Sequence, residues 1–249
     1  MNWQVERQGS GSPLLLIHGW GMHSGLWGNL VPQLAEHFQV ITVDLPGHGN
    51  SARQDFSLDS LVAQLSAQFE EPLSICGWSL GGQLALHWAL RFPPQINRLV
   101  LVACTPCFVR RPGWDCAMPA ETFAEFSASL QQNPALTLRR FLALQTMERA
   151  LLSQMRSLLA SRKQADSQAL RAGLELLRDL DLRDALPGIT QPALIMAGFR
   201  DTLTPMAAAQ YLATQMPDAR LAAIEGAAHV PFLSHQEVFL KHLLSFLHG

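Results

Sequence analysis

Six short apolar runs recur along the chain, and this rhythm constrains the fold more than any other feature. The runs are rich in Leu, Ile, Val and Ala, and helix-period stretches separate most of them. They cover residues 14–17, 40–43, 73–76, 99–103, 193–197 and 221–224. Fully apolar strands that alternate with helices are typical of a mainly parallel sheet buried between two helical layers. We therefore predict an α/β fold with helices on both faces of the sheet.

The rhythm stops between residues 105 and 186, where the sequence favours helices and contains no convincing strand. Helices are predicted over residues 118–131, 134–145, 148–163 and 167–179. An insertion between strands of a parallel sheet emerges at the carboxyl edge, where ligands of open α/β folds bind. We predict a core of residues 1–104 and 187–249 and an all-helical lid of residues 105–186. The alternative is that these helices only thicken the outer layer.

Ser79 lies in Gly77-Trp78-Ser79-Leu80-Gly81, between a strand-like run and a helix-like run. A serine on a sharp strand-to-helix turn needs small neighbours, because the strained backbone lies close to adjacent strands. The pattern therefore predicts a nucleophile elbow with Ser79 as the nucleophile. The alternative is a glycine-rich turn with a solvated serine.

A serine hydroxyl becomes a good nucleophile when an imidazole takes its proton and a carboxylate orients that imidazole. In folds that use this elbow, the acid and then the histidine follow the serine, each on a loop after a late strand. Asp201 and His229 satisfy this order. His235 is the nearest competitor, but its position fits the start of the last helix better. We predict Asp201 and His229 as the partners of Ser79.

Hydrolysis of an acyl group also requires backbone N–H donors for the oxyanion. The residue after the nucleophile, Leu80, supplies one donor, and Trp20 in His18-Gly19-Trp20-Gly21 supplies the second. A further motif, residues 44–51, begins at Asp44 after the run at residues 40–43. Its proline and glycine spacing is typical of a turn, so we assign it a structural role. The sequence has no phosphate-binding loop or histidine-carboxylate helix motif, so we expect neither a metal nor an organic cofactor.

Composition limits the partners and the compartment. Hydrophobic residues make up 48% of the 249 residues and the formal net charge is −2, which gives no reason to expect a nucleic-acid partner. No targeting segment is evident, and no run approaches the roughly 18 apolar residues of a membrane span. We expect a cytoplasmic monomer that binds no membrane. Cys104 and Cys107 have redox spacing, but packing cysteines are the favoured interpretation.

Basic residues are concentrated in the second half of the predicted lid. Between residues 139 and 163 one acid, Glu148, accompanies six basic residues: Arg139, Arg140, Arg149, Arg156, Arg162 and Lys163. Arg149, Arg156 and Lys163 are spaced by seven, so an uninterrupted helix would carry them on one face. Such a row is usually a solvated surface, and the alternative is a docking site for an acidic partner.

Several segments together resemble the pimeloyl-[acyl-carrier protein] methyl ester esterases of biotin synthesis, within the α/β-hydrolase superfamily. The resemblance covers residues 18–21, 77–82, 105–108 and 227–232, and its most specific part is Arg140-Phe141-Leu142-Ala143-Leu144-Gln145-Thr146-Met147. It implies the α/β-hydrolase fold and a triad of Ser79, Asp201 and His229. It also implies an acyl site lined by residues of both the core and the lid: Trp20, Ser79, Leu80, Phe141, Leu142, Ala143, Leu144, Gln145 and His229.

The implied substrate is the methyl ester of a pimeloyl chain carried on an acidic acyl carrier protein, and hydrolysis would release methanol. The resemblance further implies that lid arginines dock this carrier, with Arg139, Arg140, Arg149 and Arg156 as the candidates. Two other functions stay open on the residues alone. One is a broad short-chain carboxylesterase, or a carbon-carbon hydrolase or lyase with the same triad. The other is a non-catalytic ligand-binding module.

Overall fold

A seven-stranded sheet forms the centre of the computed structural model, which describes residues 3–249. The strands are β1 (Val5–Gln8), β2 (Pro13–Ile17), β3 (Gln39–Val43), β4 (Leu73–Trp78), β5 (Ile96–Val102), β6 (Ala193–Gly198) and β7 (Ala219–Ile224). Their order across the sheet is β1-β3-β2-β4-β5-β6-β7. Strand β1 is antiparallel to β3, and every other neighbouring pair is parallel. The predicted mainly parallel sheet is therefore confirmed.

The sequence analysis missed strand β1. Its four residues, Val-Glu-Arg-Gln, include a single apolar side chain, and the strand pairs with β3 alone at the edge of the sheet. An edge strand with an exposed face has no continuous apolar run that could identify it. The six predicted strands are all present, and each contains a run of mostly apolar residues.

Helices cover both faces of the sheet. Leu14, Leu15 and Leu16 in β2, and Leu99 and Val100 in β5, have no exposed surface. Successive side chains of a strand point to opposite faces, so burial of consecutive residues requires cover on both sides. The helices are α1 (Leu30–Leu34), α2 (Leu58–Ser66), α3 (Leu80–Arg91), α4 (Ala120–Gln132), α5 (Pro134–Leu144), α6 (Arg149–Leu159), α7 (Ser167–Asp179), α8 (Met206–Gln215), α9 (Pro231–Ser234) and α10 (Gln236–His248).

Helices α4 to α7 follow one another between β5 and β6, and we call this part of the chain the cap. Asn133 begins α5, because its side chain accepts a hydrogen bond from the Leu136 N–H at 3.0 Å. One expectation for the cap is wrong. Helix α6 ends at Leu159, so Lys163 lies beyond it and cannot extend the row of Arg149 and Arg156.

The parallel strands place four predicted site residues at one edge of the sheet. Trp20 follows β2, Ser79 follows β4, Asp201 follows β6 and His229 follows β7. The carboxyl ends of parallel strands meet at the same edge, which is where ligands bind in folds of this type. Within residues 3–249, no helix has the length and apolar character needed to cross a membrane.

Candidate active site

Ser79 occupies a strained turn between β4 and α3. Its φ is 55° and its ψ is −116°, a conformation that few residues other than glycine adopt. A methyl group on Gly81 would overlap the carbonyl oxygen of Ile17, and one on Gly77 would overlap that of Gly81. These close contacts explain the glycines on both sides of the serine. The Ser79 side chain lies at the carboxyl edge and is half-buried, so a ligand can reach it.

Asp201 and His229 form a buried pair. His229 Nδ1 lies 2.8 Å from Asp201 Oδ2, and Asp201 Oδ1 accepts hydrogen bonds from the backbone N–H groups of Leu203 and Thr204 at 2.9 and 3.0 Å. Burial opposes ionisation of Asp201, but His229 and the hydrogen bonds outweigh it and lower the pKa of Asp201. The ionised carboxylate accepts a hydrogen bond from Nδ1–H, and in this tautomer Nε2 has the lone pair that can accept a proton.

The main chain of His229 is held from two sides. Its N–H donates to the carbonyl oxygen of Gln145 at 3.2 Å, and its carbonyl oxygen accepts from the Trp78 indole N–H at 2.8 Å. The end of α5 therefore contacts the histidine directly. Within residues 3–249, the His229 ring contacts Asp201 and Thr204 and forms no hydrogen bond to Ser79 Oγ. In hydrolases this contact is often long until substrate binds.

Two of these supporting residues escaped the sequence analysis. Thr204 donates its hydroxyl to Asp201 Oδ2 at 2.6 Å, and Trp78 supports His229 as described. An aspartate followed three residues later by threonine is a local signal, because such side chains form turns with nearby backbone N–H groups. Trp78 offered no comparable signal, since its partner is 151 residues away in the sequence.

Two backbone N–H groups near Ser79 are available for a ligand. A methyl group on Gly19 would contact Ser79 Cβ at 3.3 Å, so the loop that contains Trp20 lies directly beside the serine. Leu80 is the first residue of α3, where N–H groups have no partner within the helix. In the part of the chain that the structure describes, neither the Trp20 nor the Leu80 N–H donates a hydrogen bond. The arrangement fits an oxyanion hole.

An apolar cavity of about 20 Å³ lies between the cap and Trp20. Only hydrophobic side chains line it: Trp20, Phe108, Met118, Phe123, Phe126, Phe141, Leu144, Leu174 and Leu177. The rings of Trp20 and Phe141 pack edge to face with centroids 5.0 Å apart, and the Trp20 indole N–H donates to the Leu170 carbonyl at 2.9 Å. A space of this size holds about one water molecule and is far too small for an acyl chain of several carbons. An acyl chain can enter only if the cap side chains separate.

The other predicted acyl-site residues have different positions. Leu142 is buried and lines a second cavity of about 430 Å³, together with Gly21 and Met22 from the loop after Trp20. Ala143 is exposed and lines neither cavity, because it projects from another face of α5. Gln145 is fully buried, and within residues 3–249 its side-chain amide has no hydrogen-bond partner.

All four candidate docking arginines lie exposed on or next to the cap helices. Arg139 and Arg156 line the second cavity, whereas Arg140 and Arg149 lie outside it. Among the described residues none of the four forms an ion pair. Unpaired arginines remain free to bind an anionic partner.

Cys104 and Cys107 are buried as free thiols. Burial raises the pKa of the Cys104 thiol to about 12, so it is protonated at neutral pH. Protonated buried thiols behave as small apolar side chains, in agreement with a packing role.

Comparisons with known proteins agree with this geometry. Residues 14–241 match the Alpha/beta hydrolase family. A pimeloyl-[acyl-carrier protein] methyl ester esterase from Nitrosomonas europaea is 40% identical over 244 residues, which cover 95% of this chain and 96% of that protein. The protein of the same name from Aromatoleum aromaticum is 42% identical over 233 residues, which cover 90% of this chain and 93% of that protein.

A solved esterase from Exiguobacterium antarcticum superimposes with a TM-score of 0.92 at 26% identity, covering 99% of this chain and 96% of that chain. These findings confirm the fold class and the resemblance that the sequence motifs indicated. The chain therefore belongs to the α/β-hydrolase family and, within it, to the family of the pimeloyl-[acyl-carrier protein] methyl ester esterases.

Proposed function

We propose that this protein is a serine carboxylesterase that hydrolyses the methyl ester of pimeloyl-[acyl-carrier protein], a step of biotin synthesis. The observation that carries the proposal is the combination of a strained Ser79, a buried His229–Asp201 pair and an all-apolar cavity that the Trp20 side chain lines. The names of the two relatives at 40% and 42% identity support the substrate.

The first half of the reaction transfers the acyl group to the serine. Ser79 Oγ attacks the ester carbonyl carbon while its proton passes to His229 Nε2, and Asp201 stabilises the imidazolium that forms. The Trp20 and Leu80 N–H groups bind the oxyanion of the tetrahedral intermediate. The intermediate then collapses, the bond to the methoxy oxygen breaks, and His229 returns the proton to the departing methanol.

The second half releases the acid. A water molecule gives its proton to His229 Nε2 and attacks the acyl-enzyme carbonyl, and the same two N–H groups bind the second oxyanion. Collapse of this intermediate breaks the bond to Ser79 Oγ, and His229 reprotonates the serine.

Residues 105–186 act as the lid over this site in the proposed reaction. The aliphatic chain lies in the cavity lined by Trp20 and Phe141, and Phe126 on α4 moves away to admit it. Leu144 is 52% exposed although it lines the cavity, so the opening lies near the end of α5. That end also bears Gln145, whose carbonyl binds the His229 N–H.

The lid also receives the carrier in this proposal. An acidic acyl carrier protein approaches four exposed arginines, Arg139, Arg140, Arg149 and Arg156. Within residues 3–249, none of them is paired with a carboxylate of this chain. Electrostatic complementarity of this kind raises association rates and selects the partner. A broad short-chain esterase would have no use for such a surface.

The direct test is hydrolysis of pimeloyl-carrier methyl ester by the purified protein and by Ser79→Ala, with p-nitrophenyl butyrate as the comparison substrate. We expect rapid, serine-dependent cleavage of the carrier-bound ester. Serine-dependent activity on the small ester alone would support the mechanism and reject the proposed substrate. Activity that survives Ser79→Ala on both substrates would reject the mechanism.

A further inference from the structure

A buried ion pair joins the cap to the core at a distance from the proposed triad. Arg162 follows α6, and its Nη1 donates to Asp44 Oδ2 at 2.8 Å. Its Nη2 lies 2.8 Å from both carboxylate oxygens of Glu6 on β1. The Asp44 side chain has no exposed surface and that of Arg162 is 12% exposed. A charge-assisted pair with so little solvent contact holds its partners in a fixed geometry.

Asp44 also binds the loop after β2 and its own loop, which follows β3. Its Oδ1 accepts the Ser24 N–H at 2.8 Å, and its Oδ2 accepts the Asn50 N–H at 2.9 Å. Burial opposes the charge on Asp44, but the nearby His18 ring and then these hydrogen bonds lower the pKa of Asp44 to about 2. The carboxylate is therefore ionised, and Arg162 balances its charge. Loss of the guanidinium would leave a buried charge with only neutral donors.

Ser24 lies on the same loop as Trp20, four residues further along the chain. The loop begins at the end of β2, where His18 Nδ1–H donates to the Gly19 carbonyl at 2.8 Å and His18 Nε2 accepts the Leu45 N–H at 2.9 Å. The bond from Ser24 to Asp44 holds its other end. The backbone of Trp20 therefore lies between two positions that hydrogen bonds hold, His18 and Ser24, and the bond at Ser24 depends on Asp44.

Cap residues on both sides of Arg162 contact the same loop. His23 Nε2–H donates to the Leu159 carbonyl at 3.0 Å, and the Trp20 indole N–H donates to the Leu170 carbonyl at 2.9 Å. Arg162 is the one charged contact in this group of three. The cap segment 159–170 and the loop after β2 therefore form a continuous hydrogen-bonded unit.

We infer that Arg162 is a positioning residue for the oxyanion hole. Through Asp44 and Ser24 it holds the loop that contains the Trp20 N–H. The position of the cap on the core and the geometry of the oxyanion hole therefore depend on each other. The inference rests on the proposed function, because it assumes that the Trp20 N–H binds the oxyanion.

The test compares Arg162→Met, which keeps the aliphatic length, with Arg162→Lys, which keeps the charge but cannot bind Asp44 and Glu6 with a planar fork. Lys163→Met removes the same charge from the exposed neighbour and serves as the matched control. p-Nitrophenyl butyrate is the substrate, because its hydrolysis requires no carrier docking. Affinity for an alkyl trifluoromethyl ketone, which forms an oxyanion adduct with the serine, is measured in parallel.

Complete loss of one oxyanion donor lowers kcat by about 100- to 1,000-fold, so we expect its displacement in Arg162→Met to lower kcat by about 10- to 100-fold. KM should stay within about twofold, and ketone affinity should fall by the same factor as kcat, because both depend on the oxyanion. Arg162→Lys should recover part of the loss, and Lys163→Met should match the wild type.

The inference is wrong if folded Arg162→Met keeps its kcat within about twofold of the wild type, or if its activity falls through KM alone with ketone affinity unchanged. If near-UV circular dichroism shows that Arg162→Met does not fold, the same two measurements on Arg162→Lys decide between the outcomes. Failure of the proposed function has a different signature, since the wild type itself would then lack Ser79-dependent hydrolysis.

Discussion

The hydroxyl of Thr204 provides the sharpest test of how the Asp201 carboxylate is maintained. It donates to Asp201 Oδ2 at 2.6 Å and lies 3.4 Å from His229 Nδ1, and both Asp201 and Thr204 are buried. Thr204→Val replaces this hydroxyl with a methyl group of similar size. The backbone N–H of residue 204 still reaches Asp201 Oδ1, so the substitution removes one hydrogen bond from a charged acceptor and little else.

A hydrogen bond to a charged group contributes about 1.5 to 3 kcal/mol, so we expect the free energy of unfolding at pH 7 to fall by about that amount. The pH dependence gives a second, independent prediction. The pKa of Asp201 is lowered in the folded protein. Burial raises this pKa, but His229 and then the hydrogen bonds from Thr204 lower it by more. A lowered pKa contributes stability above the unfolded value of about 3.9, and this stability is lost as the pH falls through the folded value.

Thr204→Val has less of this stabilisation to lose. The difference in unfolding free energy between wild type and variant should therefore be largest above about pH 5 and should shrink as the pH falls below about 4. Urea unfolding between pH 3.5 and pH 7, followed by tryptophan fluorescence, measures it. Thr202→Val is the control, because Thr202 is exposed two residues away. A difference below about 0.5 kcal/mol at pH 7, or one that does not change with pH, would refute the reasoning.

Three further experiments test other parts of the protein. Trp78→Phe keeps an aromatic ring but removes the indole N–H that donates to the His229 carbonyl. This hydrogen bond is worth about 1 kcal/mol, so kcat on p-nitrophenyl butyrate should fall about fivefold, and an unchanged kcat would contradict this role. Gly81→Ala forces a methyl group onto the Ile17 carbonyl and should lower the melting temperature by about 6 to 12 °C in calorimetry, whereas a shift below about 2 °C would show that the turn can relax. Charge reversal at Arg140, Arg149 and Arg156 should lower kcat/KM on carrier-bound ester by about tenfold or more at low salt and leave kcat/KM on the small ester unchanged. Lys241→Glu is the control, and equal losses on both substrates would reject docking.

The sequence predicts those parts of the structure that depend on local patterns. The six predicted strands are visible because each contains a run of mostly apolar residues, and Ser79 is visible because glycines accompany it at the turn. Chain order then suggests Asp201 and His229, and the structure brings these two side chains within 2.8 Å of each other. Strand β1 lacked such a pattern, because it is polar and pairs on one side only.

The missed features depend on contacts between distant parts of the chain. Arg162 and Asp44 are 118 residues apart, and each has a local interpretation that hides the pair. Arg162 resembles one member of a basic stripe, and Asp44 resembles the start of a turn motif. The same pairing directs Arg162 toward Asp44 beyond the end of α6 at Leu159, where heptad spacing suggested a longer helix. Charge spacing alone cannot show which arginine is neutralised by a buried partner.

The contacts of the cap with the core are unevenly distributed, and this bears on how an acyl chain enters. The segment 159–170 is bound through Arg162, through the His23 and Trp20 side chains, and through the Asp166 N–H, which donates to the Gly47 carbonyl at 2.7 Å. Near the end of α5, by contrast, the Gln145 carbonyl makes one backbone hydrogen bond, to the His229 N–H. The cavity of about 20 Å³ lies on the α4 and α5 side and is filled mainly by aromatic rings. Movement of α4 and α5 can enlarge it without breaking the bonds of the segment 159–170, whereas movement of the whole cap would break them and displace the loop that holds the Trp20 N–H. Entry of an acyl chain between α4 and α5 is therefore compatible with a fixed position of the proposed oxyanion hole.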